Sequence, residues 1–103
     1  MIFVTLYKKE KVKLGFSIKG HANFDKEGLD IVCAAVSMLA YTTINSLDYY
    51  NINIDFEDGG NTMTLDINDF SIESKVLMDN FEIGIKTLLT SYSEYVNLKY
   101  EEV

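Results

Sequence analysis

Proline and arginine are absent from this chain of 103 residues, and cysteine and histidine occur once each. Without proline or any low-complexity stretch, nothing in the sequence marks a linker, a repeat or a domain boundary. At 103 residues, 48% of them hydrophobic, the chain can bury one core but not two, so it reads as a single domain over residues 1–103. That apolar content also argues against disorder. A lone cysteine excludes an intrachain disulfide. The opening run Met-Ile-Phe-Val-Thr-Leu-Tyr-Lys-Lys carries its charges after the apolar stretch, the reverse of a secretory signal. Together these features predict a reducing, cytoplasmic setting.

All nine basic residues are lysines, and they face sixteen acidic ones, giving a net charge of −7. Nucleic-acid binding needs a cationic surface and favours arginine forks, so no direct nucleic-acid partner is expected. The segment from Ile31 to Leu47 is uncharged, yet it falls short of the roughly 20 residues that cross a membrane. It also holds Ser37, Thr42, Thr43, Asn45 and Ser46, and no membrane partner is expected. No basic residue lies between Lys26 and Lys75, whereas nine acidic residues do. That imbalance is either a solubilising surface or an acidic face that draws a basic partner.

Ile2, Val4 and Leu6 alternate with Phe3, Thr5 and Tyr7, which is strand periodicity with apolar residues on both faces. Val12, Leu14, Phe16 and Ile18 form a second strand with one apolar face, so the pair predicts a hairpin. Gly20 to Leu29 reads as a polar loop. Asp30 is suited to cap a helix running from about Ile31 to Tyr50, whose first half is apolar nearly all round and so predicts central burial. Ile52 to Glu57 and Thr62 to Ile67 alternate on either side of Asp58-Gly59-Gly60-Asn61, a second hairpin. Leu77, Phe81, Ile85, Leu88 and Tyr92 stripe a helix from about Ser71 to Tyr92, and Val96, Leu98 and Tyr100 close the chain as a strand. The order ββαββαβ predicts an α+β sandwich, two helices packed on a mainly antiparallel sheet. One helical layer covers one sheet face, so the apolar outer side of the first strand predicts a homodimer.

On this reading Cys33 sits in the first turn of its helix, where the partial positive charge favours a thiolate. A buried structural cysteine among Val32, Ala34 and Ala35 is the competing account. His21 is the other singular residue, twelve positions earlier, and the intervening loop can fold back to join them. A cysteine nucleophile needs such a base, and the base an orienting group. Asp30 can cap the helix, orient His21, or do both. Ser37, one turn beyond Cys33, can support the site or bond back to its own helix. One cysteine and one histidine build no metal cluster, and no cofactor motif is present.

The run Gly20-His21-Ala22 followed by Gly28-Leu29-Asp30-Ile31-Val32-Cys33-Ala34-Ala35-Val36-Ser37 resembles that of the ribosomal-processing cysteine protease Prp family. The likeness extends over essentially the whole chain, including the element order and the Asp-Gly-Gly hairpin. The resemblance implies a bacterial, cytoplasmic, homodimeric endopeptidase that trims the N-terminal extension of large-subunit ribosomal protein number twenty-seven. It implies His21 and Cys33 as the catalytic pair, with Asp30 and Ser37 close by. It also implies a mobile substrate loop that includes Ala22, Asn23, Phe24 and Gly28, although family loops are often richer in glycine than this one. A non-enzymatic assembly factor that binds a basic ribosomal protein through the acidic face is the alternative.

Overall fold

The computed structural model describes residues 1–20 and 27–103, with residues 27–30 described by their backbone. The elements are β1 (Ile2–Lys9), β2 (Val12–Lys19), α1 (Glu27–Tyr49), β3 (Ile54–Asp58), β4 (Thr62–Ile67), α2 (Ile72–Tyr92) and β5 (Val96–Glu102). This is the expected ββαββαβ order. The five strands form one sheet in the order β3-β4-β2-β1-β5. Three pairings are antiparallel, and β1 with β5 is parallel, so the sheet is mixed and mainly antiparallel. The parallel strand follows because α2 carries the chain back along the sheet before β5 begins.

Alternation decides which side of each strand is buried. Ile2, Val4 and Leu6 of β1, Phe16 and Ile18 of β2, and Leu65 and Ile67 of β4 turn toward the helices and are buried. Phe16 stacks on Phe81 of α2, with ring centroids 4.1 Å apart and planes within 10°. Burial of such a ring contributes about 1.5–3 kcal/mol. The two helices approach closely because Gly84 of α2 faces Leu39 of α1, where a Cβ would lie 2.5 Å from Leu39 Cδ2. On the opposite sheet face Phe3 is 49% exposed, while Thr5 and Ser17 are covered. The Tyr7 hydroxyl is 3.1 Å from Ser17 Oγ there.

Three sequence expectations about α1 need correction. The helix begins at Glu27, so residues 27–29, expected in a loop, are helical, and Asp30 is the fourth helical residue instead of the cap. Cys33 is therefore the seventh residue and lies in the second turn. Nor is the first half buried all round. Val32, Val36, Ala40, Ile44 and Leu47 enter the core, whereas Ile31 is 59% and Met38 68% exposed. The uniform apolarity that suggested central burial hides an ordinary one-sided packing with an apolar outer face. The stretch Ile31–Tyr49 is also long and apolar enough to suit a membrane, at mean hydropathy 1.3. Its inner side chains share one core with the sheet.

At the other end of the sheet, α2 starts on a capping box. The Ser74 amide donates to Ser71 Oγ at 3.2 Å, and the Ser71 amide donates to Ser74 Oγ at 2.9 Å. Lys13 of β2 reaches α2, pairing with Asp79 at 2.5 Å and Glu82 at 3.1 Å. Glu82 also accepts from the Tyr100 hydroxyl of β5, tying three elements together.

Candidate active site

Gly20 sets the direction in which the chain leaves β2. Its φ is +89°, and a Cβ there would lie 2.4 Å from the Met1 carbonyl oxygen, so only glycine fits without strain. Its amide donates to the Asn61 carbonyl oxygen at 3.3 Å, which anchors this point between the start of β1 and the β3–β4 turn. His21, the next residue, together with Ala22, Asn23 and Phe24, lies outside the described residues. Gly28 is in the first turn of α1.

Cys33 is half-buried and packs against the core cluster. Its neighbours explain why. Val32 is fully enclosed and Val36 nearly so, which fixes that side of α1 against the core. Cys33 falls at the margin of this buried stripe. A sealed position would suit a purely structural thiol, whereas a margin position leaves sulfur within reach of a substrate carbonyl. The small Ala34 and Ala35 follow it. The second-turn position also weakens the contribution of the helix dipole, which falls off beyond the first turn.

Helical spacing places Asp30, Cys33 and Ser37 on one side of α1, with Ser37 exposed. The same line continues to Tyr41, four residues further on. Tyr41 donates its hydroxyl to Asp58 Oδ2 at the end of β3 and meets Phe56 edge-on, with centroids 5.9 Å apart. The hydrogen bond to Asp58 chiefly raises the pKa of the Tyr41 hydroxyl above its ordinary value. Asp58 also accepts from the Gly60 amide at 3.0 Å, which shapes the turn. The helix bearing Cys33 is thereby tied to the β3–β4 hairpin, and that hairpin also holds Gly20 through Asn61. The Tyr41–Asp58 tie was not foreseen from the sequence. The four-residue spacing of Cys33, Ser37 and Tyr41 places Tyr41 on the same side of the helix, but it carries no signal for the partner on β3.

Among the described residues no group of three or more His, Cys, Asp or Glu could hold a metal. The described residues place one thiol on a helix that Tyr41 and Asp58 tie to the β3–β4 hairpin, and the same hairpin holds Gly20, the residue before His21. Four of the nine acidic residues in the lysine-free stretch, Asp55, Glu57, Asp58 and Asp66, fall on the β3–β4 hairpin. Asp55 and Asp66 are directly opposed across the two strands.

The family model for the cysteine protease Prp matches residues 1–97. The ribosomal processing cysteine protease Prp of Staphylococcus aureus is 25% identical over 87 residues, covering 80% of this chain and 81% of that protein. The crystal structure of SMU.848 from Streptococcus mutans superposes with a TM-score of 0.87 at 26% identity, covering 100% of this chain and 96% of that one. The fold of the S. aureus protease Prp in complex with a substrate peptide matches with a TM-score of 0.89 at 23% identity, over 98% of this chain and all of that one.

Proposed function

Because the chain belongs to the Prp family of ribosomal-processing cysteine proteases, we propose that it is the cytoplasmic endopeptidase that removes the N-terminal extension of bacterial large-subunit ribosomal protein number twenty-seven. The observation that carries this reading is the half-buried Cys33 on a helix tied to the hairpin that anchors the strand exit before His21. The Cys33 thiolate attacks the scissile carbonyl and forms an acyl-enzyme. His21 protonates the leaving amine and then takes a proton from the water that releases the acyl group. Asp30, on the same helix, orients His21. Ser37 flanks the thiol one turn on. The segment with Ala22, Asn23, Phe24 and Gly28 covers the bound peptide. Since α1 begins at Glu27, any gating by this segment bends at or before Gly28 within the first helical turn.

The charge of −7 and the acidic hairpin suit a basic ribosomal protein and disfavour direct contact with nucleic acid. A homodimer fits the outer face of α1, where Ile31, Met38 and Tyr49 are exposed, better than the outer face of β1, where Phe3 is the one large exposed hydrophobic. The test is mass spectrometry of the N-terminally extended ribosomal protein after incubation with the wild type and with Cys33→Ala. A shortened product from the wild type alone is expected. Binding without cleavage by both chains would instead make the protein an assembly factor.

A further inference from the structure

The hydrophobic side chains that α1 buries, Val32, Val36, Ala40, Ile44 and Leu47, are all aliphatic. Apolar burial is non-directional, and packed helices can shear past their neighbours by small amounts. A directional contact is what fixes the remaining freedom, and Tyr41 supplies one. Its hydroxyl donates to Asp58 Oδ2, and its ring meets Phe56 of β3 edge-on with centroids 5.9 Å apart.

The path continues from there to the strand exit. The other oxygen of the same carboxylate, Asp58 Oδ1, accepts from the Gly60 amide at 3.0 Å. The Gly59 amide donates to the Thr62 carbonyl oxygen at 2.9 Å and closes the turn. The Asn61 carbonyl oxygen of that turn accepts from the Gly20 amide at 3.3 Å. One carboxylate thus joins the helix that bears Cys33 to the turn that holds the residue before His21.

The position of the tie gives it leverage. Tyr41 lies eight residues after Cys33 on one helix, a rise of about 12 Å. Over that length a tilt of about 5° about Tyr41 moves Cys33 by about 1 Å. Reacting groups misplaced by about 1 Å can lose about a hundredfold in rate. The same tie contributes little to stability, because Tyr41 is 38% exposed and an exposed hydrogen bond is nearly balanced by bonds to water.

We propose that Tyr41 and Asp58 are positioning residues for the cleavage reaction, which set the place of Cys33 relative to the strand exit at Gly20. This rests on the protease reading and adds the residues that hold its geometry. Tyr41 acts through the backbone of α1, and Asp58 through the β3–β4 turn.

The variant Tyr41→Phe removes the hydroxyl and keeps the ring against Phe56. In steady-state cleavage of the N-terminally extended ribosomal protein it is expected to lower kcat about tenfold, with KM within about twofold of wild type and melting unchanged. In an Asp58→Ala background the same substitution is expected to lower kcat no further, because the bond it removes is already gone. Wild-type kcat in a folded Tyr41→Phe chain overturns the proposal. An equal loss with Asp58 present and absent does so too, as does a loss confined to KM. A kcat loss that matches a smaller folded fraction also overturns it, since the tie would then be structural. Each of these results leaves the protease reading intact, because the wild-type chain cleaves. A wild-type chain that cleaves nothing overturns the protease reading and the proposal with it.

Discussion

The two helices lie side by side on one sheet face yet are built by different rules. Helix α2 is anchored at its start by the Ser71–Ser74 box, along its length by the Phe16–Phe81 stack, and at its side by Lys13. Helix α1 is uncharged from Ile31 to Leu47, buries Val32, Val36, Ala40, Ile44 and Leu47 while leaving Ile31 and Met38 exposed, and is tied to the sheet by Tyr41–Asp58. One helix secures the fold. The other carries the thiol at the margin of the core and leaves an apolar outer surface. On the proposed reading stability and reactivity fall to separate elements, and the contrast can be broken from either side.

The largest expected effect comes from truncating the stack. Phe81→Ala removes a fully buried ring and should cost about 3–5 kcal/mol, read by denaturant unfolding. Next, Gly84→Val forces a side chain against Leu39 and should cost about 1–3 kcal/mol. Because it pushes the helices apart, it should also lower cleavage under conditions where the chain stays folded. Ser71→Ala should remove about 1 kcal/mol by opening the cap of α2. Asp30→Ala should cost less, since Asp30 is the fourth residue of α1 instead of its N-cap, while still reducing the cleavage rate. Equal stability losses in these two variants would restore the capping role for Asp30.

The smallest effect is on pH. Hydrogen bonds from Lys13 and then Lys75 lower the Asp79 pKa from 3.8. Burial works against ionisation of Glu82, but Tyr100 and Lys13 outweigh it and lower its pKa from 4.5. The unfolded chain therefore binds more protons than the folded one between the depressed and ordinary values. This stabilisation is complete above the ordinary values and fades as pH falls through the depressed ones. Lys13 moves the other way. Burial lowers its pKa, but its bonds to Asp79 and Glu82 raise it above 10.5, so its share is lost only in strong alkali. Partial exposure makes both effects modest. Lys13→Met should flatten the acid limb of a melting-temperature profile.

Much of the fold was legible because period-two and period-3.6 patterns are local. The Ile2-Val4-Leu6 alternation and the Leu77-Phe81-Ile85 stripe correspond to buried faces, except that Leu77 is only half-buried. The start of α1 was misread because Asp30 is a good cap by type, while the helix continues upstream to Glu27. The exposure of Ile31 and Met38 was illegible because an apolar residue does not record which side of a helix has a neighbour. The Tyr41–Asp58 tie joins residues seventeen positions apart on two elements, and such pairings are set by packing. Cys33 and His21 stood out because each is the only one of its kind.

Cys33 lies in the second turn of α1, where the helix dipole contributes less, so in the proposed mechanism His21 supplies most of the activation. The direct measurement is the rate of Cys33 alkylation by iodoacetamide at neutral pH, in the folded wild type, in His21→Ala and in the unfolded chain. The account predicts that the folded wild type reacts at least about tenfold faster than the unfolded chain and that His21→Ala loses this advantage. A wild-type thiol no faster than the unfolded one, or a His21→Ala rate equal to wild type, would contradict it.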